Sequence, residues 1–181
     1  MAEPSLNNST KDLWISWDEY HRAIELLALK IHDSAWEFDH ILCLARGGLR
    51  IGDVLSRLFN LPLSIISTSS YRENGGTVRE DLTIGAHVSQ LSEDLSGRVL
   101  IVDDLVDTGL SLIKVEQWLR SEFPTVTETK TAVIWYKSGS QARPDFYMQY
   151  LENNPWIRQP FEQYDDMSML ELKEHLRSER T

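Results

Sequence analysis

The sequence predicts an α/β fold, a parallel β-sheet flanked by helices. Two observations carry that expectation. Short apolar runs alternate with segments of helical period, the pattern of a parallel sheet covered on both faces. Each run also ends in candidate chemistry, "ARGG", "STSSY", "DDLVDTG" and "WYKSG", and such folds bind ligands beyond the carboxyl ends of their strands.

The elements follow in order. Residues 1–12 are polar and expected to fray. Ser16 and Glu19 form a capping-box pattern, and Trp17, Tyr20, Ile24, Leu27, Ala28 and Ile31 recur at helical spacing behind it. "HILCLARGG" reads as a strand ending in a Gly-Gly turn. Ile51, Val54, Leu55, Leu58 and Phe59 then mark one face of a helix. "LSIISTSS" is the next strand, and the polar, glycine-bearing "YRENGGTVREDLT" is expected to be a mobile loop. Val99 to Val102 form a third strand, Gly109 to about Glu122 its helix, and "KTAVIWYK" a fourth strand. From Ser138 onward Pro144, Pro155 and Pro160 break the pattern, until "SMLELKEHLRS" closes the chain as an amphipathic helix. A single domain over residues 1–181 suits this length. Its expected parts are a core at about 14–138, a small C-terminal hood at about 139–166 and a C-terminal helix at about 168–179.

Composition excludes several classes. The net charge of −10 opposes a nucleic-acid or anionic-membrane surface, since both need a dense basic face. Cys43, the only cysteine, lies in an apolar run and is expected to be a buried structural thiol. The N-terminus lacks the basic start and apolar core of a signal peptide, and no run approaches the length of a membrane span. A cytoplasmic protein is the expectation.

The stretch "VLIVDDLVDTGLS" carries the most chemistry. Asp103, Asp104 and Asp107 crowd three carboxylates at one strand end, which repel unless a cation or donor compensates. The chain contains no GxxxxGK[ST] loop to make this a Walker B strand. A receiver would want its acidic pair near the N-terminus and an acceptor aspartate on a later strand, and no suitable strand end follows. A phosphorylated, hydroxyl-rich ligand fits better. Residues 107–111 offer backbone N–H groups, two hydroxyls and a helix N-terminus to a phosphate, while Asp103 and Asp104 can accept from sugar hydroxyls or hold a hard cation.

This stretch resembles the phosphoribosyl pyrophosphate (PRPP) motif of type I phosphoribosyltransferases. The likeness extends over residues 14–162 through "WISWDEYH", "LARGGL", "STSSY", "VIWYKSG" and "PWIRQPFE". The set looks most like the bacterial xanthine-guanine enzymes of the 6-oxopurine branch. The resemblance implies transfer of 5-phosphoribosyl from PRPP to such a base, Mg²⁺ as cofactor, PRPP and purine as small-molecule partners, and a homo-oligomer, dimer or tetramer. It implies that Asp103 and Asp104 bind the ribose hydroxyls, with Asp104 near the metal, and that Thr108, Gly109, Leu110 and Ser111 hold the 5′-phosphate. Arg46 and Gly47 would meet pyrophosphate, with a cis peptide expected at Ala45–Arg46. Ser70 and Tyr71 would open a closing loop. Asp107 would handle the N7 proton, though it could equally cap the helix. Lys137 would donate to the 6-oxo group, against the plainer expectation of an exposed strand-end lysine. Trp156 would stack on the base, the backbone of Ile157 would read its edge, and Glu162 would help hold a second Mg²⁺. Leu110 stands where a second glycine is common, and Arg158 where an acid is common. The tail after Glu162 departs from the family. The rival class is a PRPP-sensing regulator on the same fold, which the acidic charge and the presence of Asp107, Lys137 and Trp156 disfavour.

Overall fold

The computed structural model describes residues 12–70, 82–85, 88–89 and 95–178. They divide into two compact units: residues up to Arg22 together with those from Pro155 onward, and Ala23–Asn154.

The larger unit is built on a sheet of mostly parallel strands. These are β2 (His40–Ala45), β3 (Leu63–Ser70), β4 (Leu82–Ile84), β5 (Gly97–Val102), β6 (Leu105–Val106), β7 (Val126–Lys137) and β8 (Phe146–Leu151). The order is β4-β3-β2-β5-β7-β8, with β6 pairing β7 just beyond the end of β5. Among the described strands of this sheet, β4 alone runs antiparallel to its neighbour. Helix α2 (Leu49–Phe59) packs on β2 and β3, and α3 (Leu110–Glu122) on β7. Leu42, Leu44, Val99, Ile101 and Val133 form one apolar cluster with Leu112, Val115 and Leu119 of α3. Side chains alternate along a strand, so Cys43 lies on the opposite face, where its thiol donates to the Gly48 carbonyl at 3.4 Å. A Cβ at Gly52 would strike that sulfur, so glycine lets α2 approach β2. Burial pushes the thiol pKa up to about 12, which leaves it inert and structural, as expected.

The smaller unit pairs β1 (Leu13–Trp14) in parallel with β9 (Ile157–Arg158) and ends in α4 (Met169–Ser178). The chain enters α1 (Trp17–Asp33) through the expected capping box: Glu19 accepts from the Ser16 N–H at 2.8 Å, and Ser16 Oγ accepts from the Glu19 N–H at 3.2 Å.

Two corrections follow. Residues 146–151 are strand β8 of the main sheet, registered with β7 from Ala132↔Phe146 to Lys137↔Leu151, and do not belong to a hood spanning 139–166. Pro144 breaks the helical pattern there without ending the sheet, because it precedes the strand and removes no donor from it. The sheet also has more strands than the four expected, the additions β4 and β6 being too short to show a period.

Candidate active site

The parallel strands β2, β3, β5 and β7 end on one edge, and the polar residues that follow them are brought together there. Past β5, the Asp103 N–H donates to the Ala132 carbonyl, and the Asp104 carbonyl accepts from both Ile134 and Trp135 at 3.1 Å. This local break interrupts the strand before β6 resumes beside Trp135 and Tyr136. Asp103 Oδ1 accepts from the Asp104 N–H at 2.9 Å. Burial, and then the charge of Asp104, push the Asp103 carboxyl well above its ordinary value; the N–H groups of Asp104 and Gly48 offset part of this. Such a pair favours a donor or a cation between its oxygens.

The turn after β2 closes directly on this pair. The Ala45–Arg46 peptide is cis, at the position the resemblance implied. Arg46 is exposed and Gly47 half-buried. A Cβ on Gly47 would overlap Oδ1 of Asp104 and lie 2.6 Å from Oδ1 of Asp103. Glycine here therefore provides space for two carboxylates.

The loop from Thr108 to Ser111 opens α3. Gly109 has φ +82, a left-handed conformation that costs glycine little, and it is the helix N-cap without a side-chain cap hydrogen bond. The Leu110 N–H at the helix start faces Thr108 Oγ1 at 3.4 Å. The helix has no acid in its first turn, so its dipole favours an anion at this end. Thr108 is exposed, while Leu110 and Ser111 are half-buried in the first helical turn. The loop is backed by the β7–β8 link, a contribution that sequence reasoning missed. The Gln141 N–H donates to the Thr108 carbonyl at 2.8 Å, and a Cβ at Gly109 would collide with Ser140 and Ala142. The glycine and serines of "SGSQ" were its only signal.

Beside this loop, at the end of β7, Lys137 is not an exposed strand-end lysine. Its side chain is 8% exposed, and Nζ lies 3.4 Å from Oδ2 of Asp107, whose side chain is 48% exposed. A buried ammonium is thus held against a carboxylate that still reaches solvent. Ser70 ends β3; Tyr71 lies outside the described residues.

Within the smaller unit, Trp156 is 46% exposed and Ile157 is buried. The carbonyls of Trp156 and Arg158 accept from Leu13 and Ile15. By strand alternation the N–H and C=O of Ile157 point to the other edge. Glu162 begins a short 3₁₀ turn, Glu162–Tyr164. Among the described residues, no three His, Cys, Asp or Glu side chains gather to hold a metal by themselves. Two adjoining carboxylates do fit Mg²⁺, which usually takes one or two carboxylates and completes its shell with water and substrate phosphates.

Comparison with known proteins agrees with this geometry. The family described as "Phosphoribosyl transferase domain" matches residues 16–166. The chain is 30% identical to a xanthine-guanine phosphoribosyltransferase of Idiomarina loihiensis over 158 residues, covering 87% of this chain and 91% of that one. A purine phosphoribosyltransferase structure from Pyrococcus horikoshii superposes with TM-score 0.68 at 31% identity, covering 83% and 94% of the two chains. A Neisseria gonorrhoeae protein solved with bound ppGpp gives 0.69 at 26% identity, covering 93% and 95%. With the carboxylate pair, the Thr108–Ser111 loop and the strand-end turn along one edge, the chain belongs to the phosphoribosyltransferase family.

Proposed function

We propose that the protein transfers 5-phosphoribosyl from PRPP to N9 of a 6-oxopurine, releasing pyrophosphate. The observation that best supports this is the Lys137–Asp107 pair beside the phosphate loop. A 6-oxopurine carries a carbonyl next to N7. An ammonium beside a carboxylate matches that edge, with Lys137 donating to O6 and Asp107 accepting the proton from N7. A 6-amino group would instead turn N–H donors toward the ammonium.

In this reading Asp103 and Asp104 accept from the ribose 2′- and 3′-hydroxyls, and residues 108–111 hold the 5′-phosphate at the start of α3. Arg46 and the Gly47 backbone bind the pyrophosphate. N9 bonds to C1′ as the bond from C1′ to the pyrophosphate oxygen breaks, through an oxocarbenium-like transition state, and Asp107 takes up the proton the base loses. Asp104 would hold Mg²⁺, whose charge would offset the negative charge that builds on the leaving group. Glu162 is assigned to a second Mg²⁺, Trp156 to stacking on the base and Ile157 to reading its edge. Ser70 and Tyr71 begin the loop that excludes water. A cytoplasmic dimer or tetramer accompanies the reading. No helix among the described residues is long and apolar enough to cross a membrane.

The test is a panel of hypoxanthine, guanine, xanthine, adenine and uracil with PRPP, scored for nucleotide and pyrophosphate with Mg²⁺ and with chelator. Product from the three oxopurines and only with metal is expected; adenine or uracil turnover at equal rate overturns the assignment of the pair. Equal PRPP affinity in chelator would remove the metal from the PRPP site.

Lys137→Ala is expected to raise KM for all three oxopurines by about 10- to 100-fold, the size of a hydrogen bond to a charged group. KM for PRPP should stay within about twofold, because Lys137 touches neither the carboxylate pair nor the loop backbone in this reading. Steady-state kinetics with each substrate varied checks both halves. An unchanged hypoxanthine KM would show that Lys137 serves only to neutralise Asp107.

A further inference from the structure

Arg158 lies among groups that suit a cation, two indoles and a carboxylate. It lies on β9 two residues after Trp156, so both side chains project from the same face of the strand. Across the pairing with β1 it is registered with Trp14. The guanidinium carbon lies 5.6 Å from the Trp156 ring centroid and 5.9 Å from that of Trp14. Nε donates to Oδ2 of Asp12 at 3.1 Å. The ion pair is half-exposed, at 46% for Arg158 and 38% for Asp12, so its own stabilisation is small. Its geometric effect is larger. One carboxylate and two indoles restrict a side chain that would otherwise sample many rotamers. A guanidinium stays charged at every working pH and stacks on indole faces through its planar cation.

We propose that Arg158 is a specificity-determining residue that biases the Trp156 platform toward xanthine over guanine. This rests on the reading of Trp156 as the surface on which the base stacks. The three oxopurines differ at C2, where hypoxanthine carries hydrogen, guanine an amino donor and xanthine a carbonyl acceptor. Xanthine also loses a ring proton near neutral pH, whereas guanine remains neutral there. A fixed cation on the platform attracts the xanthine anion and its C2 oxygen and gains nothing from guanine's amino group. Asp12 moderates the field without cancelling it, because it engages one edge of a group with five N–H donors.

The test compares kcat/KM for xanthine and guanine from pH 6 to pH 9 in the wild type, Arg158→Gln and Arg158→Lys, with Trp156→Ala as a control. The expected wild-type xanthine-to-guanine ratio rises with pH as xanthine ionises. Arg158→Gln should lower that ratio by roughly 3- to 10-fold at the alkaline end, the range of exposed to half-exposed cation effects, and flatten its pH dependence. Arg158→Lys should restore the slope, which a purely structural role for the arginine would not predict. Circular dichroism confirms that each variant is folded. If Trp156→Ala raises KM for every base while Arg158→Gln leaves the ratio and its slope unchanged, the platform stands and this proposal is overturned. If Trp156→Ala leaves every base KM unchanged, the platform reading itself has failed, and the Arg158 proposal fails with it.

Discussion

Asp107→Asn is expected to lower kcat by about 10²- to 10⁴-fold, the usual range for removing a positioned acid–base group, with PRPP affinity close to wild type. The position of Asp107 in the sequence allows two roles. A carboxylate just before a helix can cap it or can meet a ligand. The N-cap is Gly109, with no side-chain cap hydrogen bond, and Asp107 points instead to the Lys137 ammonium at 3.4 Å. Loop geometry is set by the left-handed Gly109 and by the Gln141 N–H on the Thr108 carbonyl, so it survives the loss of one charge. Asparagine is isosteric and keeps an acceptor for Lys137. The stability change should therefore be about 1 kcal/mol, read by thermal unfolding, because the lost charge sits half in solvent. Asparagine cannot accept a full proton, so the chemical step bears the loss. Steady-state kinetics with PRPP binding measured separately decides between the roles. Normal kcat with strongly weakened PRPP binding would return Asp107 to the phosphate loop as a structural residue.

The strand ends were legible in the sequence because parallel topology does the assembling. Once β2, β5 and β7 are recognised as apolar runs in one sheet, the turn at Arg46, the pair at Asp103 and Asp104 and the lysine at 137 must lie along one edge. Local patterns also carried the capping box at Ser16 and the limits of α3 and α4: α3 begins at Leu110, one residue after the expected Gly109. Strand β8 was not legible. Its "FYMQYL" is buried at both ends and partly open between them, as an edge strand is, and so shows no clean alternation. The two-residue strands β1, β6 and β9 are too short for any period and exist through their partners. The Lys137–Asp107 pair joins positions 30 residues apart, which no spacing rule encodes. The burial of Lys137 follows from β7 running five residues past its last contact with β5, between β6 and β8. Sequence types at a strand end name the candidates; only the register says which of them face each other.

Gly47→Ala is the substitution that tests the carboxylate pair most directly, and it is expected to raise KM for PRPP by about 10²-fold. Gly47 has no left-handed φ, unlike Gly109, so alanine is conformationally acceptable there. The obstacle is volume alone. The added methyl would overlap Oδ1 of Asp104 and crowd Oδ1 of Asp103. Those atoms end short side chains that can turn aside, so the fold should survive with a loss of about 1–3 kcal/mol, the ordinary cost of overpacking. Turning aside is what function cannot tolerate. In the proposed reading these groups position the ribose, where a displacement of about 1 Å costs roughly 10²-fold, and the same methyl would stand where the pyrophosphate would meet the turn. Gly48→Ala makes the comparison informative, because its methyl would meet the Val102 carbonyl, a backbone atom of β5 that cannot move without the strand. That variant should lose stability more than Gly47→Ala. A folded Gly47→Ala enzyme with wild-type KM for PRPP would show that Asp103 and Asp104 do not hold the ribose.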